Sequence, residues 1–268
     1  MENKFDISVI LPIKSSKVKD FDTYFEKSIN SLRLQKVSLN EVIIVPTQEE
    51  SLNTLLKSYD FGDLNVKIVP FVGEPNFASQ VNFGVENATS KWISILEFDD
   101  EYATIWFDNV KKYDEIYQDE VDAYLPIVVD VDNKGVFAGF TNEATFAAGF
   151  TTEIGYLTND MLHDYQNFQS SGMVMKREQF LDFGGIKPSM KLTFVYEFLL
   201  RMTYNSVKIM TIPKMGYKHE NLREGSIFWN YKFGEDKIVD DEVKFWLNTA
   251  KKEYFFNQDR SIKYEPIS

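Results

Sequence analysis

Trp92-Ile93-Ser94-Ile95-Leu96-Glu97-Phe98-Asp99-Asp100-Glu101 is an apolar run that gives way abruptly to carboxylates. Its first five residues predict a buried strand, because a short, nearly continuous apolar segment is what a two-sided sheet interior requires. Clustered carboxylate oxygens are the donors that hard divalent cations take. In open α/β sheets ligands gather outside the carboxyl ends of the strands, so this segment predicts a cation site at that edge, serving phosphate chemistry.

Working outward, the chain toward the N-terminus alternates strand and helix signals. Ile7 to Leu11 is an apolar run stopped by Pro12, and Phe21, Phe25, Ile29 and Leu32 follow at helical spacing. Val42 to Val45 ends at Pro46, Leu52, Leu55 and Leu56 mark a helix, and Val66 to Val69 ends at Pro70. A helix over about Phe77 to Ala88 leads into the strand at Trp92, and Trp106, Val110, Tyr113 and Tyr117 share one face of the next. Parallel strands need crossover connections, so this alternation predicts an α/β fold with a mostly parallel sheet and helices on both faces.

Beyond Val121 to Val129 the regularity lapses. Asp132 to Gly135 is a turn, and the segment to about Asn167 is rich in Gly, Thr, Asn and Phe without a sustained period, as expected of a substrate-facing insertion. Order returns with Gly172 to Met175, a helix from Arg177, the pair Gly184-Gly185, a helix through Leu192, Val195, Leu199 and Met202, and a closing strand from Val207 to Ile212 stopped by Pro213. Val239, Val243, Trp246, Ala250 and Tyr254 then describe an amphipathic C-terminal helix.

Composition narrows the function classes. Among 268 residues, 44% are hydrophobic and 23 are Phe, so the chain buries a core. It carries 29 basic and 41 acidic residues, net charge −12, with no basic run able to track a nucleic-acid backbone. The absence of cysteine excludes disulfides, thiolate metal sites and thiol nucleophiles, and fits a reducing, cytoplasmic setting. No stretch reaches the ~18 apolar residues of a transmembrane span.

The order of these pieces resembles the GT-A fold of nucleotide-sugar glycosyltransferases, especially the inverting family 2. The resemblance rests on Ile10-Leu11-Pro12, Ser31-Leu32, Val42-Ile43-Ile44-Val45, the Ala78-x-x-x-Asn82-x-Gly84 pattern, Glu97-Phe98-Asp99-Asp100 in place of Asp-x-Asp, and Ser171 to Arg177 followed by Phe183-Gly184-Gly185. It covers about residues 7 to 226, and divides the chain into a GT-A domain over 1–226 and a C-terminal helical extension over 227–268. Within the domain, a nucleotide-sugar half spans about 1–130 and an acceptor half about 131–226.

The resemblance implies a nucleotide diphospho-sugar donor, a glycan or related hydroxyl acceptor, and Mn²⁺ or Mg²⁺ held by Asp99, Glu97 and His219. Pro12, Lys14, Asn82, Glu97, Asp99, Asp100, Lys218 and Arg223 are the implied donor contacts. His219 enters because the family often supplies a His beyond its last core strand, and Tyr217 to Ser226 has that form. The chain departs from the family in three places. The second strand ends Val45-Pro46-Thr47-Gln48 instead of in base-reading acids, and the first loop, Pro12 to Ser16, lacks Tyr-Asn. Aligning Phe198-Leu199-Leu200-Arg201 with the family's Leu-x-x-Arg puts Phe194 and Val195 where a catalytic Glu-Asp pair belongs. Glu197 is the candidate base that remains on this helix, with Asp160 and Asp164 as others.

Simpler readings stand beside these. Asp100 can cap a helix, Glu197 and Arg201 have the spacing of a helix ion pair, Asn82 and Gly84 can serve packing, and Trp106, Tyr113 and Tyr117 core. Phe137, Phe140, Phe146 and Phe150 can face an acceptor sugar or fill a minor core. A non-catalytic GT-A module binding a nucleotide sugar or glycan is the alternative function. A nucleotidyltransferase ranks below it, since Pro12 to Ser16 is no Gly-rich loop with an Arg.

Overall fold

The apolar N-terminal run forms β1 (Lys4–Ile13), and in the computed structural model, which describes residues 4–147 and 153–258, it is the middle of a parallel four-strand unit. Helix α1 (Phe21–Arg33) crosses to β2 (Ser38–Pro46), α2 (Glu50–Ser58) to β3 (Val66–Ile68), and α3 (Phe77–Glu86) to β4 (Trp92–Ile95). β1 pairs in parallel with both β2 and β4, and β2 with β3. The strands are nearly continuous in Val, Ile and Leu because helices cover both faces of the sheet. Pro12 does not end β1: it is buried opposite Val45.

The second half extends the same sheet with mixed polarity. After the two-residue β5 (Glu101–Tyr102) and α4 (Trp106–Tyr117) come β6 (Ala123–Val131) and β7 (Phe137–Thr141), a hairpin around the Asp132–Gly135 turn. β8 (Tyr156–Leu157), α5 (Asn159–Asp164), β9 (Val174–Lys176), α6 (Arg177–Asp182), α7 (Phe194–Tyr204) and β10 (Ile209–Glu220) follow. The strand order is β3-β2-β1-β4-β9-β6-β10-β5, with β7 on β6 and β8 on β10. β9 runs antiparallel between β4 and β6, while β6 and β10 are parallel.

One expectation is corrected here. Pro213 does not close the last strand; β10 runs on to Glu220. The register on β6 moves from Leu125 opposite Thr211 to Ile127 opposite Met215, so a bulge absorbs the proline, which has no N–H for the ladder. His219 therefore sits on a strand, opposite Asp130, and not in a loop.

The Asn82 and Gly84 pattern serves packing. Asn82 Nδ2 donates to the Ile186 carbonyl (2.7 Å) and its Oδ1 accepts the Ile186 N–H (2.9 Å), binding α3 to the turn after α6. Gly185, at φ 70°, leaves room for this amide, since a Cβ there would lie 2.4 Å from Asn82 Oδ1. Asn82, expected as a donor contact, uses its amide on the Ile186 backbone. At Gly84 a Cβ would lie 2.4 Å from Ile10 Cγ2 and 2.9 Å from Val45 Cγ2. Gly84→Ala is accordingly expected to lower stability by about 1–3 kcal/mol through overpacking of α3 on the sheet; denaturant unfolding checks it, and an unchanged midpoint would contradict it.

Past β10 lie α8 (Ile227–Phe233) and α9 (Asp240–Glu253). α9 docks on α7 through Ala250 and Tyr254, both buried, and through Thr193 Oγ1, which donates to the Trp246 carbonyl at 3.0 Å. No helix among the described residues is long and apolar enough to cross a membrane.

Candidate active site

The acidic corner is built by two strands that meet beyond β4. After Leu96 the chain turns, with the Asp100 N–H donating to the Glu97 carbonyl (3.0 Å), and β5 then pairs antiparallel with β10, Glu101 opposite Lys218 and Tyr102 opposite Tyr217. That pairing delivers Asp100 to His219. Asp100 Oδ2 lies 2.9 Å from His219 Nδ1, and Oδ1 accepts the Glu220 N–H at 2.9 Å. Glu97 is held from the other side: its N–H donates to the Tyr217 hydroxyl (3.1 Å), and its Oε1 accepts from Ser171 Oγ (3.4 Å). Glu97, Asp100 and His219 each present a ligand atom, all within 4.8 Å of one another.

Electrostatics mark this corner as short of positive charge. Burial and the neighbouring Asp100 and Asp99 charges, opposed by His219, push Glu97 up to about 8. Burial works against a charged His219, but the Asp100 carboxylate, with Glu97 and Asp99, outweighs it and raises the ring to about 10. Burial, then Asp100, also raises Asp99, against the pull of Arg223. These shifts share one cause, buried negative charge that a cation would offset. Two carboxylates and an imidazole form a donor set that Mn²⁺ accepts readily and Mg²⁺ also tolerates.

Asp99, expected as a metal ligand, is paired with Arg223 in this structure. Its Oδ2 accepts from Arg223 Nε at 2.5 Å, and the guanidinium lies over the rings of Phe98 (4.8 Å) and Tyr24 (5.5 Å). Asp100 is the carboxylate that lies beside Glu97 and His219. Lys218 pairs with Glu101 (2.9 Å) at the rim, and Lys14 is exposed just past β1, its carbonyl accepting Thr47 Oγ1 at 2.8 Å. Sequence reasoning missed Tyr24, whose hydroxyl donates to Glu220 (2.7 Å), and Ser171 as a support of Glu97. Tyr24 carries no signal of its own on an amphipathic helix; it matters only because α1 faces the end of β10.

Glu197, the expected base, lies in a buried ion cluster. It is fully buried, its carboxylate bound by Arg201 Nε (2.8 Å), Arg201 Nη2 (3.1 Å) and Lys187 Nζ (3.1 Å), and it is no part of the acidic corner. Asp160 and Asp164 lie on α5, packed on α7, and His163 stacks edge-on to Tyr254 at 5.8 Å. At the start of α7, Phe194 packs between Phe77 (5.7 Å) and Phe228 (6.1 Å). Of the insertion's aromatics, Phe137 and Phe140 are exposed and pack on each other at 4.8 Å, while Phe150 falls outside the described residues.

The family profile of glycosyl transferase family 2 matches residues 8–179, well over half of the chain. The chain belongs to glycosyl transferase family 2. Its mixed α/β sheet is the GT-A fold. Among solved structures, S. aureus TarS 1–349 in complex with UDP-GlcNAc superposes with a TM-score of 0.64 at 17% identity, covering 93% of this chain and 66% of that one. TarS 1–349 with UDP gives a TM-score of 0.60 at 16% identity, covering 93% and 80%. The chain spans less than half of the longer TarS chain, 48%, at a TM-score of 0.60 and 15% identity. At such identities the likeness is one of fold. A search of curated proteins gave no match.

Proposed function

We propose that this family-2 glycosyltransferase transfers a sugar, with inversion, from a nucleotide diphospho-sugar to a hydroxyl of a glycan or related acceptor. The observation that carries it is the convergence of Glu97, Asp100 and His219 at the carboxyl end of β4, where a donor diphosphate would meet the sheet edge. The TarS structure with UDP-GlcNAc supports a uridine-type donor as the first to test. Glu97, Asp100 and His219 would hold Mn²⁺ or Mg²⁺, whose contribution when bound is to neutralise charge developing on the leaving diphosphate. Arg223 and Lys218 are the cations that the chain itself brings to the same diphosphate. Pro12 and Lys14 flank the nucleotide side at the end of β1.

The proton of the attacking hydroxyl must pass to a base. The Phe77, Phe194 and Phe228 cluster packs the start of α7, and Glu197 in its first turn is held by Arg201 and Lys187; this favours one second reading, a GT-A module that binds donor without transferring it. Calorimetry with UDP-sugars and Mn²⁺, alongside release of UDP over a panel of acceptors, separates the two. Metal-dependent turnover supports transfer; tight binding with no turnover supports the module; no binding of any nucleotide diphosphate overturns both.

A further inference from the structure

The loop of residues 221–225 joins the end of β10 to the Ser226 cap of α8, whose Oγ accepts the Trp229 N–H at 3.3 Å. It reaches into the acidic corner through one side chain, Arg223. That side chain is 7% exposed and its partner Asp99 10%. The loop's second ion pair, Lys19 with Glu224 at 3.7 Å, is highly exposed at both ends and so contributes little. Closure also places Leu222 at φ 54°, a conformation that a branched side chain adopts at some cost. Two cavities flank the loop. One of about 120 Å³ is lined by Arg223 and Glu224, the other of about 290 Å³ by Asp99, Glu101, Lys218 and Glu220, and both share Asp20, Tyr24 and Asn133. The smaller volume falls short of what a nucleotide-sized ligand fills, and the larger only approaches it.

The geometry points to Arg223 as an exchange latch: at rest it neutralises Asp99 and closes the loop over the corner, and on donor binding it passes from the carboxylate to the diphosphate. The inference rests on the proposed use of this corner for a diphosphate. A guanidinium pairs with either oxyanion in the same forked geometry, so the exchange needs no rebuilding of its stacking on Phe98 and Tyr24. The energetic consequence is specific. The latch's positive charge beside Glu97, Asp100 and His219 opposes a divalent cation alone, yet supports a cation that arrives with a diphosphate.

Arg223→Ala should therefore shift two ligands in opposite directions. Calorimetry with Mn²⁺ alone is expected to show binding tightened by about tenfold, and UDP with saturating Mn²⁺ weakened by about tenfold. Arg223→Lys keeps the charge and should stay near wild type for Mn²⁺ while losing part of the UDP affinity. A residue that only supports the fold would weaken both ligands together and lower the melting temperature, and that result, or unchanged affinity for both, overturns the latch. If neither UDP nor any other nucleotide diphosphate binds the wild type, the proposed function falls, and the latch falls with it, because no diphosphate then takes the arginine. If UDP binds wild type and Arg223→Ala equally, the function survives and the latch alone is overturned.

Discussion

Asp100→Asn is expected to lower Mn²⁺ affinity more than about a hundredfold and to abolish metal-dependent donor turnover, because it removes both a ligand and the carboxylate that orients His219. Asp99→Asn should cost much less cation affinity, since Asp99 is committed to Arg223. The same corner predicts a steep pH dependence. At pH 7 His219, raised to about 10, and Glu97, raised to about 8, both hold protons that a bound cation must displace. Mn²⁺ binding should release close to two protons at pH 7, so affinity climbs by roughly tenfold per pH unit for each proton displaced. The sign for stability is opposite. A raised pKa means that the protonated form favours the fold, so the contribution of His219 is complete below 6.5 and lost as pH rises through about 10. That of Glu97 is complete below 4.5 and lost through about 8. These two groups should therefore lower the melting temperature of the metal-free protein progressively as pH rises from about 4.5 to about 10, with Mn²⁺ opposing the loss. Titrations in buffers of differing ionisation enthalpy count the protons. Release of none would place the cation elsewhere.

The parallel half of the fold was legible because two-sided burial writes itself into sequence. Ile7 to Leu11, Val42 to Val45 and Trp92 to Leu96 have almost no polar residue, and each proved a central strand. The location of the site was legible for the same reason, since carboxylates directly after such a run have only the sheet edge to occupy. Which carboxylate points at His219 was not. That choice depends on a two-residue strand, Glu101–Tyr102, pairing with β10, and two residues carry no periodicity from which to read a strand. Pro213 misled for a related reason: a proline usually ends a strand, but a bulge lets one pass, and a bulge is a property of the partner's register. The Glu197 and Arg201 spacing was visible as a helix ion pair. Its burial was not, because Lys187 and the carbonyls of Phe183 and Gly185 come from another segment.

Glu197→Ala is expected to destabilise the protein by about 3–5 kcal/mol, a large share of the roughly 5–15 kcal/mol that holds a typical domain folded. The cost comes from the charges left behind. Arg201 is fully buried and Lys187 nearly so, and Glu197 is the carboxylate that both share. Arg201 would keep its bonds to the Phe183 and Gly185 carbonyls, which satisfy donors but carry no net negative charge. Lys187 would keep the Glu253 carbonyl at 2.7 Å and the half-exposed Glu253 carboxylate at 3.6 Å. Because that contact joins the turn after α6 to the end of α9, the variant should also loosen the C-terminal helix, visible as faster amide exchange there. A structural and a catalytic Glu197 differ in one measurable respect. If the carboxylate only balances Arg201 and Lys187, turnover per folded molecule at low temperature stays near wild type while the unfolding midpoint drops. Pairing the change with Arg201→Met should then restore part of the loss, since it removes one of the two stranded charges and leaves Lys187 to the half-exposed Glu253 carboxylate. If Glu197 instead took the acceptor's proton, turnover would collapse in Glu197→Gln without a matching fall in stability, and no change at Arg201 would recover it.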